Sequence, residues 1–286
     1  MGGVTVMLEQ NHMPAVLPKA PEDSLSPYSD ALLAHFPAKE DILREARQQT
    51  QQQRQFKKTL ITTSMCLLLT VGWLDPMVST ETLHTAIGQQ ATVQLKDGSQ
   101  VILNTNSVLV AEQHVRSRQL YLQQGEALFT VKHGWQPFTV YANQAEIRDI
   151  GTVFNVRHTQ PGAVVTVVEG SVEVYTAQQT RLLTKGMSVN TQAGQMSDHC
   201  CNAHNAATAW QQGRLMFDAT PLAEVVAEVQ RYHVGQIDIA DPRIAQYRLS
   251  GEYDIKGIDA LLDVLPEILP VHVDRRPDQS VVIRHR

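Results

Sequence analysis

The chain has 286 residues, 43% of them hydrophobic, which leaves room for one or two globular domains plus an anchor or tails. Its formal net charge of −5 and pI near 6.1 exclude a broadly basic surface of the kind that grips nucleic acid. Three cysteines exclude a disulfide framework; with Cys66 inside the longest apolar stretch, only Cys200 and Cys201 are placed for redox chemistry.

Residues 1–38 carry Pro14, Pro18, Pro21, Pro27 and Pro37 and little periodicity, which predicts an irregular start with a short helical stretch over Ser29–Phe36. From Lys39 to Lys58 the breakers vanish. Strong helix formers, acids early and bases late, predict a helix, with the glutamine-rich tract as its solvated face.

Thr59 to Leu74, TLITTSMCLLLTVGWL, contains no charged residue. A helix of that length rises about 24 Å against a hydrocarbon core about 30 Å thick. The expected span is therefore extended to residues 59–78, with Thr59, Leu60, Leu67, Leu68 and Leu69 in lipid and Trp73 at interface depth. Arg44, Arg47, Arg54, Lys57 and Lys58 lie upstream, whereas Asp75 and Glu81 come before the first downstream base, Lys96. By the positive-inside rule residues 1–58 stay in the cytoplasm and the rest is exported, giving a single-pass membrane anchor. A buried core helix fits poorly with four threonines, a serine and a dibasic flank. A cleaved signal peptide would need its basic region near the start of the chain.

From Glu81 to Met196 the pattern switches to period two. ATVQLKDGSQVILN alternates on both sides of Asp97-Gly98, which predicts a hairpin with a type I′ turn. Further strands are predicted at Ser107–Ala111, Gln119–Gln123, Ala127–Lys132, Phe138–Ala142, Ala145–Ile150, Val153–His158, Val164–Glu169, Ser171–Thr176, Thr180–Leu183 and Ser188–Thr191. Gly98, Gly125, Gly151 and Gly170 are expected in turns closed to residues with a Cβ. LQQGEALFTV and VVEGSVEV read as the same hairpin chemistry used twice, and the whole as an all-β sandwich or roll over 81–196. Phe129, Trp135, Phe154 and Val156 are expected in its core.

Residues 197–209 are small and polar and read as a linker; residues 210–286 then form a compact β-α-β-β-α-β string. Its strands are expected at Leu215–Phe217, Gln236–Ile239, Tyr247–Tyr253, Val271–Val273 and Val281–Arg284. The first helix, Leu222–Tyr232, is opened by a capping residue with Pro221 in its first turn and has Leu222, Val225, Val226 and Val229 on one face. The second covers Ile258–Leu269. Trp210, Leu215 and Phe217 are expected to anchor the module.

Catalytic and metal chemistry find little support. His199, Cys200, Cys201 and His204 lack the usual zinc spacing, no nucleophile elbow surrounds any serine, and no nucleotide-binding glycine motif appears. Glu126 and Glu169 flank turn glycines and read as ordinary exposed carboxylates. No cofactor, metal or enzymatic activity is expected.

HTAIGQQATVQLKDGSQVILNTNSVL, LQQGEALFTV, PFTVYANQAEIRDIGTVFNVR and VTVVEGSVEV resemble, in order, the periplasmic domain of the FecR family, and WQQGRLMFDATPLAEVVAEVQRY with YRLSGEYDI resembles its C-terminal module. That module is similar to the small domain at the start of secretins and of signalling TonB-dependent receptors. The resemblance implies a mainly β fold with an α+β module behind a cytoplasmic helix and one transmembrane helix. It also implies a regulator that relays a signal from a TonB-dependent outer-membrane receptor of iron-siderophore or haem uptake to an extracytoplasmic-function sigma factor, with membrane proteases as further partners and no direct nucleic-acid contact. One departure concerns the start: residues 1–58 contain no tryptophan, whereas the family's sigma-binding region usually carries several. A periplasmic module that senses a small molecule or glycan directly is the alternative, and an anchored enzyme the third.

Short modules of this kind end in unpaired strand edges, so receptor binding by strand addition is expected. The candidate edges are Gly213–Phe217, with Arg214, Leu215, Met216 and Phe217, and the closing hairpin Val271–Arg284, with Val271, Val273, Val281 and Ile283. Alternation turns Met216 outward.

Overall fold

The computed structural model describes residues 39–198 and 208–286, which fall into two compact units dividing between Leu69 and Thr70. The expectations for residues 1–38 and for Cys200, Cys201 and their histidines lie outside the described residues. Helix α1 runs unbroken over Lys39–Leu74, so the polar helix and the apolar stretch are one element, as expected. In the apolar part the hydroxyls of Thr59, Thr62 and Thr63 donate back to the carbonyls of Gln55, Lys58 and Thr59, which satisfies them without an outside partner. Leu60, Leu67, Leu68, Leu69 and Trp73 are all exposed, and Thr59 with them.

The helix does not reach Val78. Asp75 takes a left-handed φ of 43° ahead of Pro76, whose ring bars helical geometry at the residue before it, and Met77 already begins a strand. No helix among the described residues is long and apolar enough to cross a membrane.

β1 (Met77–His84) opens the first of two sheets. The chain then winds between them, placing β2 (Ala91–Gln94) and β3 (Gln100–Leu103) in sheet II, β4 (Val108–His114) and β5 (Arg118–Gln124) in sheet I, and β6 (Glu126–Thr130) in sheet II. β7 (Phe138–Ala142) and β8 (Ala145–Asp149) return to sheet I, β9 (Val153–His158) and β10 (Ala163–Glu169) to sheet II, β11 (Ser171–Tyr175) and β12 (Thr180–Thr184) to sheet I, and β13 (Ser188–Gln192) with β14 (Gln195–Asp198) close sheet II. Among the described residues each sheet has seven strands, laid down in chain order from one side to the other. Between them lies a core of inward-facing residues that includes Val101, Leu120, Phe129, Phe138, Phe154 and Val165, with Phe129 and Phe154 stacked at 5.2 Å.

The domain is the expected sandwich, but its described strands run from Met77 to Asp198, so the expected span takes in Met77 and Val78 of the first strand and the expected linker takes in Ser197 and Asp198 of the last. Gly125 and Gly170 do not turn hairpins. Each carries the chain from one sheet to the other, at φ of 83° and 78°. A Cβ on Gly125 would lie 2.5 Å from the Ser107 Cα, and one on Gly170 would lie 2.5 Å from the Gly151 carbonyl. Successive corners therefore stack on glycine. The Asp97-Gly98 hairpin is present, but only Gly98 has positive φ. Gly98 N–H donates to the Leu95 carbonyl (2.9 Å) and Leu95 N–H to the Ser99 carbonyl (2.8 Å), a three-residue loop with a glycine bulge in place of a type I′ turn. Asp97 is drawn away from it by Ser99 and Arg118, whose groups donate to its carboxylate. Trp135 is 77% exposed, on a loop, not in the core.

The module follows with β15 (Arg214–Pro221), α2 (Leu222–Gln230), β16 (Ile237–Ile239), β17 (Arg248–Asp254), α3 (Ile258–Ile268), β18 (Val271–Arg275) and β19 (Val281–His285). Leu222, Val225, Val226 and Val229 form the buried face of α2 as expected. Its N-cap is Pro221 itself, with no side-chain cap, because β15 runs straight into the helix; it ends at Gln230, short of Tyr232.

Candidate partner-binding site

The module contains two small sheets. β15 pairs with β17 alone, and β16, β19 and β18 form a three-stranded sheet in that order. Among the described residues β15 therefore pairs along one edge only. Along it Leu215 and Phe217 are buried while Met216 is 43% exposed, so the alternation turns Met216 outward. Arg214 is exposed and pairs with Glu252 on β17. The closing hairpin differs from expectation. β19 lies between β16 and β18, so Val281 and Ile283 sit in a central strand and are buried. Only β18 offers an edge there, with Val271 buried and Val273 half-buried. Of the eight residues singled out from the sequence, Arg214, Met216 and Val273 are thus the side chains within a partner's reach.

The module does not stand apart from the sandwich. Leu128, Ile102, Val153 and Val168 project from the outer face of sheet II and pack with Trp210, Phe217, Leu222 and the module's other apolar residues in one cluster. Beside it runs a polar seam. The side chain of Glu126, expected in solvent, is 4% exposed. Its carboxylate accepts from Arg231 Nη2 at 2.6 Å, Asn155 Nδ2 at 2.8 Å and Asn104 Nδ2 at 2.9 Å. Arg231 reaches on to Glu228 (2.6 Å), which also binds Arg157 from β9 (2.6 Å), closing a chain of two guanidiniums and two carboxylates between the domains. Tyr232 Oη accepts from Asn104 (2.8 Å), and Thr105 Oγ1 donates to the Arg231 carbonyl (2.9 Å).

Burial alone would push the Glu126 carboxyl up, but the charges of Arg231 and Arg157 and the Asn155 and Arg231 hydrogen bonds outweigh it and hold the pKa below its ordinary value. Burial pushes the Tyr232 phenol up, so it stays protonated. The seam is neutral in sum, and only the Asn155 Oδ1 in it is buried without a hydrogen-bond partner; removing one charged member would leave another charge buried and short of its partner. Sequence reasoning missed it because Glu126 and Arg231 lie 105 residues apart. The one local signal in the sequence is the unbroken apolar run Ala127-Leu128-Phe129 after Glu126, which an ordinary two-faced strand lacks, and the structure buries all four positions.

On the outer face of sheet I, Tyr121 and Tyr141 stack at 5.0 Å with their planes 16° apart. Beside them is an open cavity of about 370 Å³ lined by Glu112, Gln123, Asn143 and His158 among others.

None of the curated proteins matches the chain. Two crystal structures of candidate anti-sigma factors from Parabacteroides distasonis ATCC 8503 do. One is 26% identical with a TM-score of 0.63, covering 73% of this chain and 100% of its own. The other is 27% identical with a TM-score of 0.63, covering 72% and 99%. The family model described as FecR protein matches residues 81–173, and the one described as FecR, C-terminal matches residues 214–283. Two models of one family, in that family's order and together spanning more than half of the 286 residues, show that the chain belongs to the FecR family.

Proposed function

We propose that the chain is an inner-membrane regulator of an extracytoplasmic-function sigma factor, an interaction protein and not an enzyme, which relays a signal from an outer-membrane TonB-dependent receptor of iron-siderophore or haem uptake. The observation that carries this reading is the pair of FecR modules in order, on a fold shared with candidate anti-sigma factors over 73% of the chain. Residues 1–58 contact the sigma factor, the apolar part of α1 sits in lipid, and residues after it face the periplasm, within reach of membrane proteases. The all-round exposure of Leu60, Leu67, Leu68, Leu69 and Trp73 supports the lipid assignment. Alkaline phosphatase fused after residue 80 should be active and the same fusion after residue 50 inactive; the reverse pattern overturns the topology. Co-purification of the sigma factor with the full chain, lost on deletion of residues 1–58, tests the cytoplasmic half.

The receptor's signalling domain reads the module by strand addition to β15 or β18. Met216→Pro removes a backbone donor from the β15 edge and should weaken receptor binding, measured by calorimetry, with helicity unchanged by circular dichroism. If prolines in both edges leave affinity unaltered, strand addition is wrong. A second reading, direct sensing of a small molecule or glycan by the β domain, is favoured by the cavity beside Tyr121 and Tyr141. A melting shift with candidate sugars, abolished by Tyr141→Ala, would establish it.

A further inference from the structure

Trp135 presents an indole, 77% exposed, from a tightly held loop, a ring apolar in its body with a polar N–H. The loop carrying Trp135 is clamped from below. Buried Arg118 donates to the carbonyls of Lys132 (3.1 Å) and Gln136 (2.5 Å). The Gln136 amide donates to the carbonyls of His114 (3.3 Å) and Val115 (2.9 Å), which fixes this loop against the turn at residues 114–117.

That turn is in turn fastened to the end of α1. The Asp75 carboxylate accepts from Arg116 N–H and Ser117 Oγ, both at 2.6 Å, and Val115 N–H donates to the Pro76 carbonyl at 3.1 Å. An unbroken set of bonds therefore joins the last turn of α1 to the Trp135 loop at one end of the sandwich. The apolar side chains exposed there include Trp73 (82%), Leu74 (69%), Met77 (56%), Val78 (66%), Val115 (43%) and Trp135. Arg116, Lys132 and His133 are exposed among them. Three of the neighbouring acids are engaged inward, Asp75 as described, Asp97 with Arg118, and Glu112 with His114, while Glu81 on β1 is exposed. Indoles with bases and few free acids are the composition of a protein surface at the lipid headgroup layer.

We infer that this end of the β domain rests on the surface of the bilayer that holds α1, with Trp135 inserted among the headgroups beside Trp73 and with Arg116 and Lys132 against anionic lipid. The inference rests on the anchor reading above. Continuity with the apolar stretch of α1 argues for lipid as the occupant. A short span draws its flanks to the surface.

The test uses the full chain in vesicles of phosphatidylethanolamine and phosphatidylglycerol, with bromine-labelled lipids as fluorescence quenchers. Variants with a single tryptophan, the other two changed to Phe, report each indole separately. Quenching of Trp73 and Trp135, with Trp210 spared because it is buried in the module, is the expected result, and Arg116→Glu with Lys132→Glu should reduce the Trp135 signal. Quenching of Trp73 without Trp135 overturns the inference and leaves the anchor standing. Quenching of neither overturns both, and equal quenching of Trp210 overturns the inference as non-specific. If Trp210→Phe does not fold, comparing Trp73→Phe with the Trp73→Phe, Trp135→Phe double variant isolates Trp135.

Discussion

The two sheets of the sandwich share one alternation but meet different surroundings on their outer faces. In sheet I, β5 and β11 alternate between buried and partly exposed residues, and the outward row Tyr121, Tyr141, Glu146 and Tyr175 faces solvent. In sheet II the outward row Ile102, Leu128 and Asn155, with Glu126 and Arg157 beside it, lies under the module. The same backbone pattern thus supports an open face and an interdomain face. What separates them is side-chain chemistry: tyrosines and exposed ion pairs on one, aliphatics and a buried charge seam on the other.

Removing one member of the seam should have the largest effect. Glu126→Ala leaves Arg231 without its buried partner and should destabilise the protein by about 3–5 kcal/mol, whereas Glu173→Ala on sheet I should stay within about 0.5 kcal/mol; urea denaturation compares them. Leu128→Ala should cost about 2–4 kcal/mol as a buried truncation, against about 0.5 kcal/mol or less for exposed Leu182→Ala. If both leucines cost the same, the outer faces do not differ as described.

Acid offers a smaller and graded test. Because the folded-state pKa of Glu126 is lowered, its contribution is complete above the ordinary glutamate range and is lost as pH falls through that lowered value. The stability gap between wild type and Glu126→Gln should therefore narrow on acidification, and a gap that widened would contradict the ionised seam. The smallest effect is expected for the Arg148–Glu146 pair on sheet I (2.7 Å), half-exposed on the arginine side. Glu146→Ala should cost about 0.2–1 kcal/mol, less at high salt.

Most of this architecture was legible because local pattern and tertiary burial agree. Alternation located nearly every strand, and the spacing of Leu222, Val225, Val226 and Val229 gave the buried face of α2. The failures have physical causes. Met77 and Val78 continue an apolar run, so the expected span covers these first two residues of β1. Trp135 is aromatic but lies in a loop whose restraints come from Arg118 and Gln136, which no periodicity reports. Glu126 follows a glycine, as exposed turn carboxylates do, and only the distant Arg231 makes it a buried one. β19 became central because β16 joins it in parallel, a long-range pairing that a hairpin pattern does not announce.

The chain-ordered laying down of strands in both sheets has a consequence for biosynthesis. A polypeptide appears N-terminus first. Once β4 has closed on β1, and β6 on β3, each later strand from β7 to β14 meets an edge already made by strands that precede it. The sandwich can grow by accretion, as repeat proteins do, with few distant partners to await. The outer face of sheet II is the exception. Glu126 and Leu128 are placed early, yet their cover arrives only with α2, so for most of its synthesis the nascent domain holds a charged and aliphatic surface open to chaperones.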